Sequence, residues 1–268
     1  MVISFMKTIL ITGSASGIGK EVKKKFLENG YKVLGIDISN QTEEDNFVSY
    51  KTDITNSDDL NKIKEYCLEN NILLDGIVNV AGIHKMASLV ETEFSIIKKL
   101  IDINMLGTIN VNNTFHSLLK GNGRVIIVTS EVASLDPMPF NGLYNVSKTA
   151  LDSYSQALRQ ELNLLGQVVI TIKPGSIETP LSEGSLVDTK NLAENTKLYQ
   201  KQAGKFLSLT KKFMGKTVKP EKVASLIYKA YIKKHPKLVY RINRNPYLTM
   251  LNLLPKRLQC FIIKNILK

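Results

Sequence analysis

The sequence predicts an α/β protein with a doubly wound, mainly parallel sheet of the Rossmann type in three layers. Short apolar runs that end in Gly, Asp, Asn or Ser alternate with longer segments of helical periodicity, which is typical of repeated βαβ units. The first unit is clear, with a strand at 7–12, a glycine-rich turn at 13–19, a helix at 20–29 and a second strand at 32–37. Because α/β domains of 268 residues commonly remain undivided, we expect residues 1–268 to form a single domain.

The remaining elements follow in the same alternating order. Further strands are predicted at 47–51, 76–80, 124–129, 168–173 and 238–242. Helices are predicted at 58–70, 92–119, 144–165 and 220–234. Between 176 and 219 the pattern weakens into Gly, Ser, Thr and Lys, which favours a mobile lid over a substrate. Residues 246–268 form an apolar and basic C-terminal extension.

The composition of the chain indicates in which compartment the protein resides and whether it has a metal site. The apolar run at the N-terminus ends at Thr12 and Gly13 without a small-residue cleavage site, which favours a buried strand over a signal peptide. No stretch reaches the roughly 20 apolar residues of a membrane-spanning helix. Cys67 and Cys260 are too few for a disulfide framework and belong to no zinc-type cluster. We therefore expect a cytoplasmic protein without a metal site.

The positive charge of the chain is concentrated near its C-terminus. The formal net charge is +12, and residues 211–268 contain fifteen Lys or Arg but one acidic residue, Glu221. A general richness in Lys, Asn and Ile explains this excess without any partner, and a basic contact surface is the alternative. The segment has no recognisable motif for reading bases, so nucleic-acid binding is disfavoured.

A glycine-rich turn between the first strand and the first helix predicts a dinucleotide site. There the backbone amides and the positive end of the helix can bind a pyrophosphate. The cofactor-binding residues predicted in this turn are Gly13, Ser14, Ser16, Gly17, Ile18 and Gly19. Asp37 ends the second strand, where a carboxylate can hydrogen-bond the adenosine ribose and repel a 2′-phosphate, so NAD is favoured over NADP. The alternative for Asp37 is an ordinary acidic residue at a strand end.

Tyr144 and Lys148 are the candidate catalytic pair. Their i,i+4 spacing puts both side chains on one face of a predicted helix. A phenol has a pKa of about 10, and a neighbouring ammonium favours the phenolate and lowers that pKa. Lys148 could also reach the ribose of a nicotinamide. Taken alone, the spacing is common by chance and more often marks a surface pair.

Taken together, these motifs resemble the short-chain dehydrogenase/reductase family, in order and over nearly the entire chain. Asp53 and Ile54 resemble the family's adenine-binding position. Asn79, Ala81 and Gly82 are similar to the motif after its fourth strand, although Val80 replaces the second Asn usual there. The resemblance implies an oxidoreductase of the Rossmann fold that uses NAD and assembles as a homodimer or homotetramer.

The resemblance also assigns residues around the nicotinamide. Asn104 resembles the helix-four Asn that holds a water in a proton relay through the lysine. The segment after the sixth strand would embrace the carboxamide end of the nicotinamide through Pro174, Gly175, Ile177 and Thr179.

The catalytic serine is ambiguous in the sequence. The family usually carries Ser thirteen positions before the tyrosine, where this chain has Glu131, and Ser130 stands one position earlier. A loop that is one residue longer would let Ser130 donate to the substrate oxygen. The alternative places Glu131 there, and its negative charge would oppose an alkoxide.

These residues predict hydride transfer between NAD(H) and an alcohol or ketone, with Tyr144 as proton donor and acceptor. Apolar residues of the 176–219 segment, among them Phe213 and Met214, predict a hydrophobic substrate. The tail resembles endings of hydroxysteroid-like and retinol-like members of the family. A noncatalytic dinucleotide-binding regulator is the alternative function.

Two further features are interpreted structurally. Leu258, Phe261, Ile262 and Ile266 form a helical stripe flanked by basic residues, for which packing against a pocket or a subunit is preferred and contact with a membrane surface is the alternative. The scattered His84, His116 and His235 are interpreted as structural or surface residues.

Overall fold

The computed structural model describes residues 6–213 and 217–268. Within these residues, seven strands form one sheet in the order β3-β2-β1-β4-β5-β6-β7, and every neighbouring pair is parallel. The strands are β1 (Thr8–Thr12), β2 (Lys32–Asp37), β3 (Phe47–Lys51), β4 (Leu74–Asn79), β5 (Leu119–Val128), β6 (Val168–Pro174) and β7 (Val239–Ile242). The predicted doubly wound α/β fold is confirmed.

Helices cover both faces of the sheet. They are α1 (Gly17–Leu27), α2 (Ser57–Glu69), α3 (Phe94–Ile101), α4 (Thr108–Phe115), α5 (Gly142–Asn163), α6 (Pro180–Asn195), α7 (Gln200–Phe213), α8 (Pro220–Ile232), α9 (Pro246–Asn252) and α10 (Lys256–Leu267). On β1, Ile9 and Ile11 point into the core layer beneath α1 and α8, while Leu10 points into the opposite layer. All three side chains are fully buried, as expected for a central strand of a parallel sheet.

The site is positioned by the reversal of strand order beside β1. β1 lies between β2 and β4, so the chain runs outward from β1 in both directions. Ligands of open α/β sheets bind in the crevice that such a reversal creates at the carboxyl ends of the strands. Gly13 follows β1 and Val80 follows β4, so the glycine-rich turn and the turn after β4 flank this crevice.

The predicted helix at 92–119 is wrong as a single regular helix. Its start shifts to Phe94, and a π-helical segment, Asp102–Gly107, separates α3 from α4. After α4, a short 3-10 turn ends at Leu118 and β5 begins at Leu119, five residues before the predicted strand. Such π segments are common at functional sites, and this one contains Asn104.

The predicted lid is helical where the sequence indicated irregular structure. α6 begins with a capping box between Thr179 and Ser182, and Pro180 occupies its first turn. α7 packs Ala203 and Phe206 against Leu267 of α10. A lid function for residues 176–219 stays a prediction, as does the single domain. Met214 and the side chain of Phe213 lie outside the described residues.

The C-terminal extension forms α9 and α10, and most of the predicted stripe does not pack within the chain, while its contact with another subunit stays a prediction. Phe261 and Ile266 are exposed by 63% and 51%, and Leu258 is also exposed. The packed face of α10 instead presents Leu267 and Ile263 to the lid. In the part of the chain that the structure describes, no helix is both long enough and apolar enough to cross a bilayer.

Candidate active site

The glycine-rich turn packs so tightly that three of its positions exclude a side chain. Gly13 has φ +69°, and a Cβ there would lie 2.9 Å from the backbone of Ala81. A Cβ on Gly19 would lie 1.9 Å from the carbonyl oxygen of Gly13. Gly17 has φ +50° and faces Thr179. The turn can therefore bring its backbone against a ligand, and glycine is required for that approach.

The N-terminus of α1 faces the same crevice. Its N-cap residue, Ser16, makes no side-chain hydrogen bond to the first amides of the helix. Uncapped amides at a helix N-terminus, together with the helix dipole, suit a phosphate group. Asp37 lies beside them, because its carboxylate accepts hydrogen bonds from the amides of Ala15 at 3.0 Å and Ser39 at 2.9 Å.

The turn after β4 is joined to β1 by hydrogen bonds. The hydroxyl oxygen of Thr12 accepts from the amides of Val80 at 3.1 Å and Ala81 at 3.2 Å. A Cβ on Gly82 would lie 3.0 Å from Oδ1 of Asn104 and 3.2 Å from Nζ of Lys148. Gly82 thus leaves room for two polar groups of the site.

Asn104 is fully buried in the π-helical segment and holds the backbone that follows Gly82. Its Oδ1 accepts from the amide of Ile83 at 2.7 Å, and its Nδ2 donates to the carbonyl oxygen of Ile83 at 2.9 Å. Nδ2 also donates to Oγ of Ser147 at 3.0 Å. The side chain therefore connects the loop after β4 to α5.

Tyr144 and Lys148 lie in the first turns of α5 and are both buried. Nζ of Lys148 lies 5.8 Å from the centre of the Tyr144 ring and donates to the carbonyl oxygen of Val128 at 3.4 Å. Burial lowers the pKa of Lys148 to about 8.

The sequence-based expectation that Lys148 lowers the pKa of Tyr144 is wrong for this arrangement. Burial raises the pKa of Tyr144 to about 12, and a hydrogen bond with Ser130 only partly opposes this increase. Desolvation dominates because the buried phenolate has little solvent to stabilise its charge. At neutral pH the phenol therefore keeps its proton.

The hydrogen bonds of Ser130 and Glu131 differ. Ser130 is the N-cap of a 3-10 turn, Glu131–Ser134, and its hydroxyl oxygen accepts from the amide of Val132 at 3.4 Å. The carboxylate of Glu131 accepts from the amide of Asn245 at 2.7 Å, and burial raises the pKa of Glu131. Both residues line the same cavity as Tyr144, so the longer-loop alternative, with Ser130 at the catalytic position, stays a prediction.

These elements surround one cavity of about 600 Å³ that extends from the glycine-rich turn to Tyr144. The predicted site residues that line it are Gly13, Ser16, Gly17, Ile18, Gly19, Asp37, Asp53, Ile54, Ala81, Gly82, Ser130, Tyr144, Lys148, Pro174, Gly175, Ile177 and Thr179. Three predicted residues do not line it. Ser14 is buried against Gln41, Asn79 donates to Asn112, and Asn104 makes the contacts given above.

His84 is a site residue that the sequence interpretation missed. Its ring centre lies 4.2 Å from that of Tyr144, and its side chain lines the cavity. Its nitrogens hydrogen-bond Asn141 and Ser185, which also line the cavity. The available signal was position, because His84 stands two residues after Gly82 and therefore beside the predicted cofactor turn.

Comparisons with known proteins identify the family that this chain resembles. The sequence model of the family described as short chain dehydrogenase matches residues 7–189. The NADPH-dependent 1-acyldihydroxyacetone phosphate reductase of Schizosaccharomyces pombe is 33% identical over 67% of this chain and 63% of its own length. The chain thus spans less than two thirds of that relative.

Solved structures of this family share the fold. A short chain dehydrogenase family protein from Francisella tularensis has a TM-score of 0.74 and 25% identity over 88% of this chain and 97% of its own. A short chain dehydrogenase from Burkholderia cenocepacia, in complex with NADP, has a TM-score of 0.73 and 18% identity over 98% of each chain. At that identity, the second likeness is evidence for the fold alone.

Proposed function

The chain belongs to the short-chain dehydrogenase/reductase family of NAD(P)-dependent oxidoreductases, and we propose that it transfers hydride between NAD(H) and a hydrophobic alcohol or ketone. Tyr144 is the proton donor and acceptor in this proposal. The observation that carries it is the single cavity lined by both the glycine-rich turn and the pair Tyr144 and Lys148.

The residues at the phosphate end of the cavity fit a dinucleotide. Gly13 and Gly19 have no space for a Cβ, and the first amides of α1 have no side-chain cap. The pyrophosphate would bind there, with Asp53 and Ile54 at the adenine and Ile177 and Thr179 near the nicotinamide. When bound, the nicotinamide dinucleotide supplies or accepts the hydride.

Tyr144 performs the proton chemistry at the other end. In reduction, its hydroxyl gives a proton to the substrate carbonyl oxygen, and in oxidation the phenolate takes a proton from the substrate alcohol. Because burial raises the pKa of Tyr144 to about 12, the phenol is protonated at neutral pH. In this state the hydroxyl of Tyr144 carries the proton that reduction requires.

Three side chains support that step. Ser130 lines the same cavity as Tyr144 and would orient the substrate oxygen. Lys148 and Asn104 flank Gly82 and would pass the tyrosine proton towards solvent. The lowered pKa of Lys148, about 8, makes its ammonium a ready proton donor near neutral pH.

A hydrophobic substrate is supported by the apolar side chains near Tyr144. Ile83, Met86 and Leu181 line the cavity, the first two from the loop after β4 and the third from α6. The relative from Schizosaccharomyces pombe is named for a lipid ketone, so acyl-bearing ketones belong among the first substrates to test.

A preference for NAD rests on Asp37. Its carboxylate lies beside the turn that would bind the pyrophosphate, at the end of β2. A carboxylate there accepts hydrogen bonds from ribose hydroxyls and repels a 2′-phosphate. The named NADPH dependence of one relative makes a direct comparison of the two cofactors necessary.

The test is turnover with a panel of steroids, retinoids, aliphatic alcohols and acyl ketones, with NAD(H) and NADP(H) in parallel. We expect Tyr144→Phe to lower kcat by about 10²–10⁴-fold, the range for losing a general acid, with little change in dinucleotide affinity. Tyr66→Phe, at an exposed tyrosine of α2, is the matched control. Wild-type turnover by Tyr144→Phe would refute the assignment.

The alternative function is a noncatalytic dinucleotide-binding regulator. The burial of Tyr144 and Lys148 against one cavity counts against it, because a sensor needs neither side chain. Tight dinucleotide binding without turnover of any substrate in the panel would favour the regulator.

Contact with an anionic membrane surface is proposed for the C-terminal extension. Met250, Leu253 and Phe261 are exposed by 67%, 80% and 63%, and no acidic residue follows Glu221. Apolar side chains among basic ones suit anionic lipids, whereas a two-fold contact between copies would bring like charges together. Sedimentation with phosphatidylserine vesicles tests this, and equal binding by Phe261→Glu would contradict it.

We also propose a homodimer or homotetramer and a cytoplasmic location. Assembly is measured by light scattering after size-exclusion chromatography, and a monomer at micromolar concentration would contradict it. A reducing compartment is supported by Cys67 and Cys260, which are both free thiols.

A further inference from the structure

His84 lies where the catalytic helix, the loop after β4 and the lid helix meet. Its ring is tilted by 53° against the ring of Tyr144, with 4.2 Å between the ring centres. Nε2 lies 3.1 Å from Oδ1 of Asn141, the residue immediately before α5. Nδ1 lies 2.9 Å from Oγ of Ser185 on α6.

These two contacts define which nitrogen of the imidazole carries the proton when the ring is neutral. Oδ1 of Asn141 can only accept, so Nε2 carries the proton. Nδ1 is then unprotonated and accepts a hydrogen bond from the hydroxyl of Ser185. Burial lowers the pKa of His84 to about 4, and the ring is neutral at neutral pH. With both nitrogens occupied, His84 is suited to holding neighbouring groups in place.

The loop that carries His84 is fixed on both sides. Asn104 hydrogen-bonds both the amide and the carbonyl oxygen of Ile83, directly before His84. Directly after it, Nζ of Lys85 pairs with Oδ1 of Asp188 on α6 at 2.5 Å. The imidazole therefore has a rigid attachment, and α6 is bound to this loop by more than one contact.

We infer that His84 is a positioning residue that couples the seating of lid helix α6 to the placement of the Tyr144 ring. While α6 is seated, the Ser185 hydroxyl satisfies Nδ1 and holds the imidazole against the phenol. When α6 moves away, Nδ1 loses its donor and the imidazole is released from this orientation. Small displacements of a reacting group lower rates strongly, so release of the imidazole should slow turnover. This consequence rests on the proposed function of Tyr144.

Kinetics of matched variants test the coupling. Ser185→Ala removes the lid contact but keeps the ring of His84, and His84→Phe keeps a ring but removes both hydrogen bonds. We expect kcat to fall about tenfold or more in each, because Ser185→Ala loses one hydrogen bond of this arrangement and His84→Phe loses two, with unchanged KM for the dinucleotide. Lys190→Met is the control, because it removes an exposed ion pair within α6, to Glu194, without touching the loop that carries His84, and it should keep the wild-type kcat.

Hydrogen exchange of the dinucleotide-free protein gives a readout that needs no turnover. Ser185→Ala should raise deuterium uptake both in α6 and at residues 142–146, whereas Lys190→Met should leave uptake at 142–146 unchanged. Wild-type kcat in His84→Phe, or uptake at 142–146 that Ser185→Ala leaves unchanged, would overturn the coupling. If the wild-type protein turns over no substrate, the proposed function fails, and the exchange result alone decides the coupling.

Discussion

The protein should lose stability in mildly acidic solution because His84 is buried as a neutral ring. Its pKa falls from 6.5 to about 4, mainly through burial. The hydrogen bond to Asn141 and the charge of Asp188 oppose this decrease in the pKa, and the charge of Lys148 adds to it. Between these two pKa values the unfolded chain binds a proton that the folded protein excludes. The contribution of His84 to stability is therefore lost as pH falls from 6.5 towards about 4.

The size of this loss follows from the two pKa values. A shift from 6.5 to about 4, at 1.36 kcal/mol for each pKa unit, makes the loss at pH 4 about 3 kcal/mol. His84→Gln removes the titration and keeps a polar side chain. The variant should therefore lose about 3 kcal/mol less free energy of unfolding than the wild type between pH 7 and pH 4.

The measurement is urea unfolding at several pH values between 7 and 4, monitored by circular dichroism. It gives the difference in free energy of unfolding between the wild type and His84→Gln. Other groups titrate equally in both proteins, so the comparison isolates His84. His235→Gln, at an exposed histidine, is the control and should follow the wild-type curve. Parallel curves for the wild type and His84→Gln would refute the neutral, buried imidazole.

Three further predictions concern the cofactor and the proton. Gly82→Ala should lower kcat by about tenfold or more, because its Cβ would crowd Oδ1 of Asn104 at 3.0 Å and Nζ of Lys148 at 3.2 Å. Asp37→Ser should raise kcat/KM for NADPH relative to NADH by about tenfold, as steady-state assays with each cofactor would measure, because the carboxylate no longer repels the 2′-phosphate. The rate of reduction should fall as pH rises through about 8, where the ammonium of Lys148 loses its proton, while Tyr144 stays protonated to about 12.

Each of these predictions has its own control or contrary outcome. Gly204→Ala on α7 is the control for Gly82→Ala, since a Cβ there meets nothing within 4 Å. An unchanged ratio of NADPH to NADH use in Asp37→Ser would contradict the role of Asp37. A pH–rate profile for reduction that stays flat through pH 8 would contradict the part assigned to Lys148.

The fold was predictable because its signal is local and repeated. Each strand of the parallel sheet is a short apolar run closed by a turn residue, so β1 and β2 are found almost to the residue. The break between α3 and α4 was not predictable, because the chain stays helical through the π-helical segment and only the register of the helix changes. The helices of the lid were also missed, since α6 is polar on most of its surface and is held by contacts with distant residues.

The candidate site was predictable where it depends on a contiguous motif. The glycine-rich turn and the spacing of Tyr144 and Lys148 lie on single elements. In contrast, the raised pKa of Tyr144 depends on burial by the whole fold, which no spacing encodes. The place of His84 required the relative positions of the loop after β4, α5 and α6. Such tertiary information is absent from one sequence read alone.

The central claim is that hydride transfer in this cavity requires the phenol of Tyr144. Its most direct test is a single turnover with nicotinamide deuterated at C4 and a ketone substrate, with dinucleotide binding measured in parallel. We expect deuterium in the alcohol product of the wild-type protein, and essentially none from Tyr144→Phe within the time of one wild-type turnover, although the variant binds the dinucleotide. Equal deuterium transfer by the variant would contradict the claim.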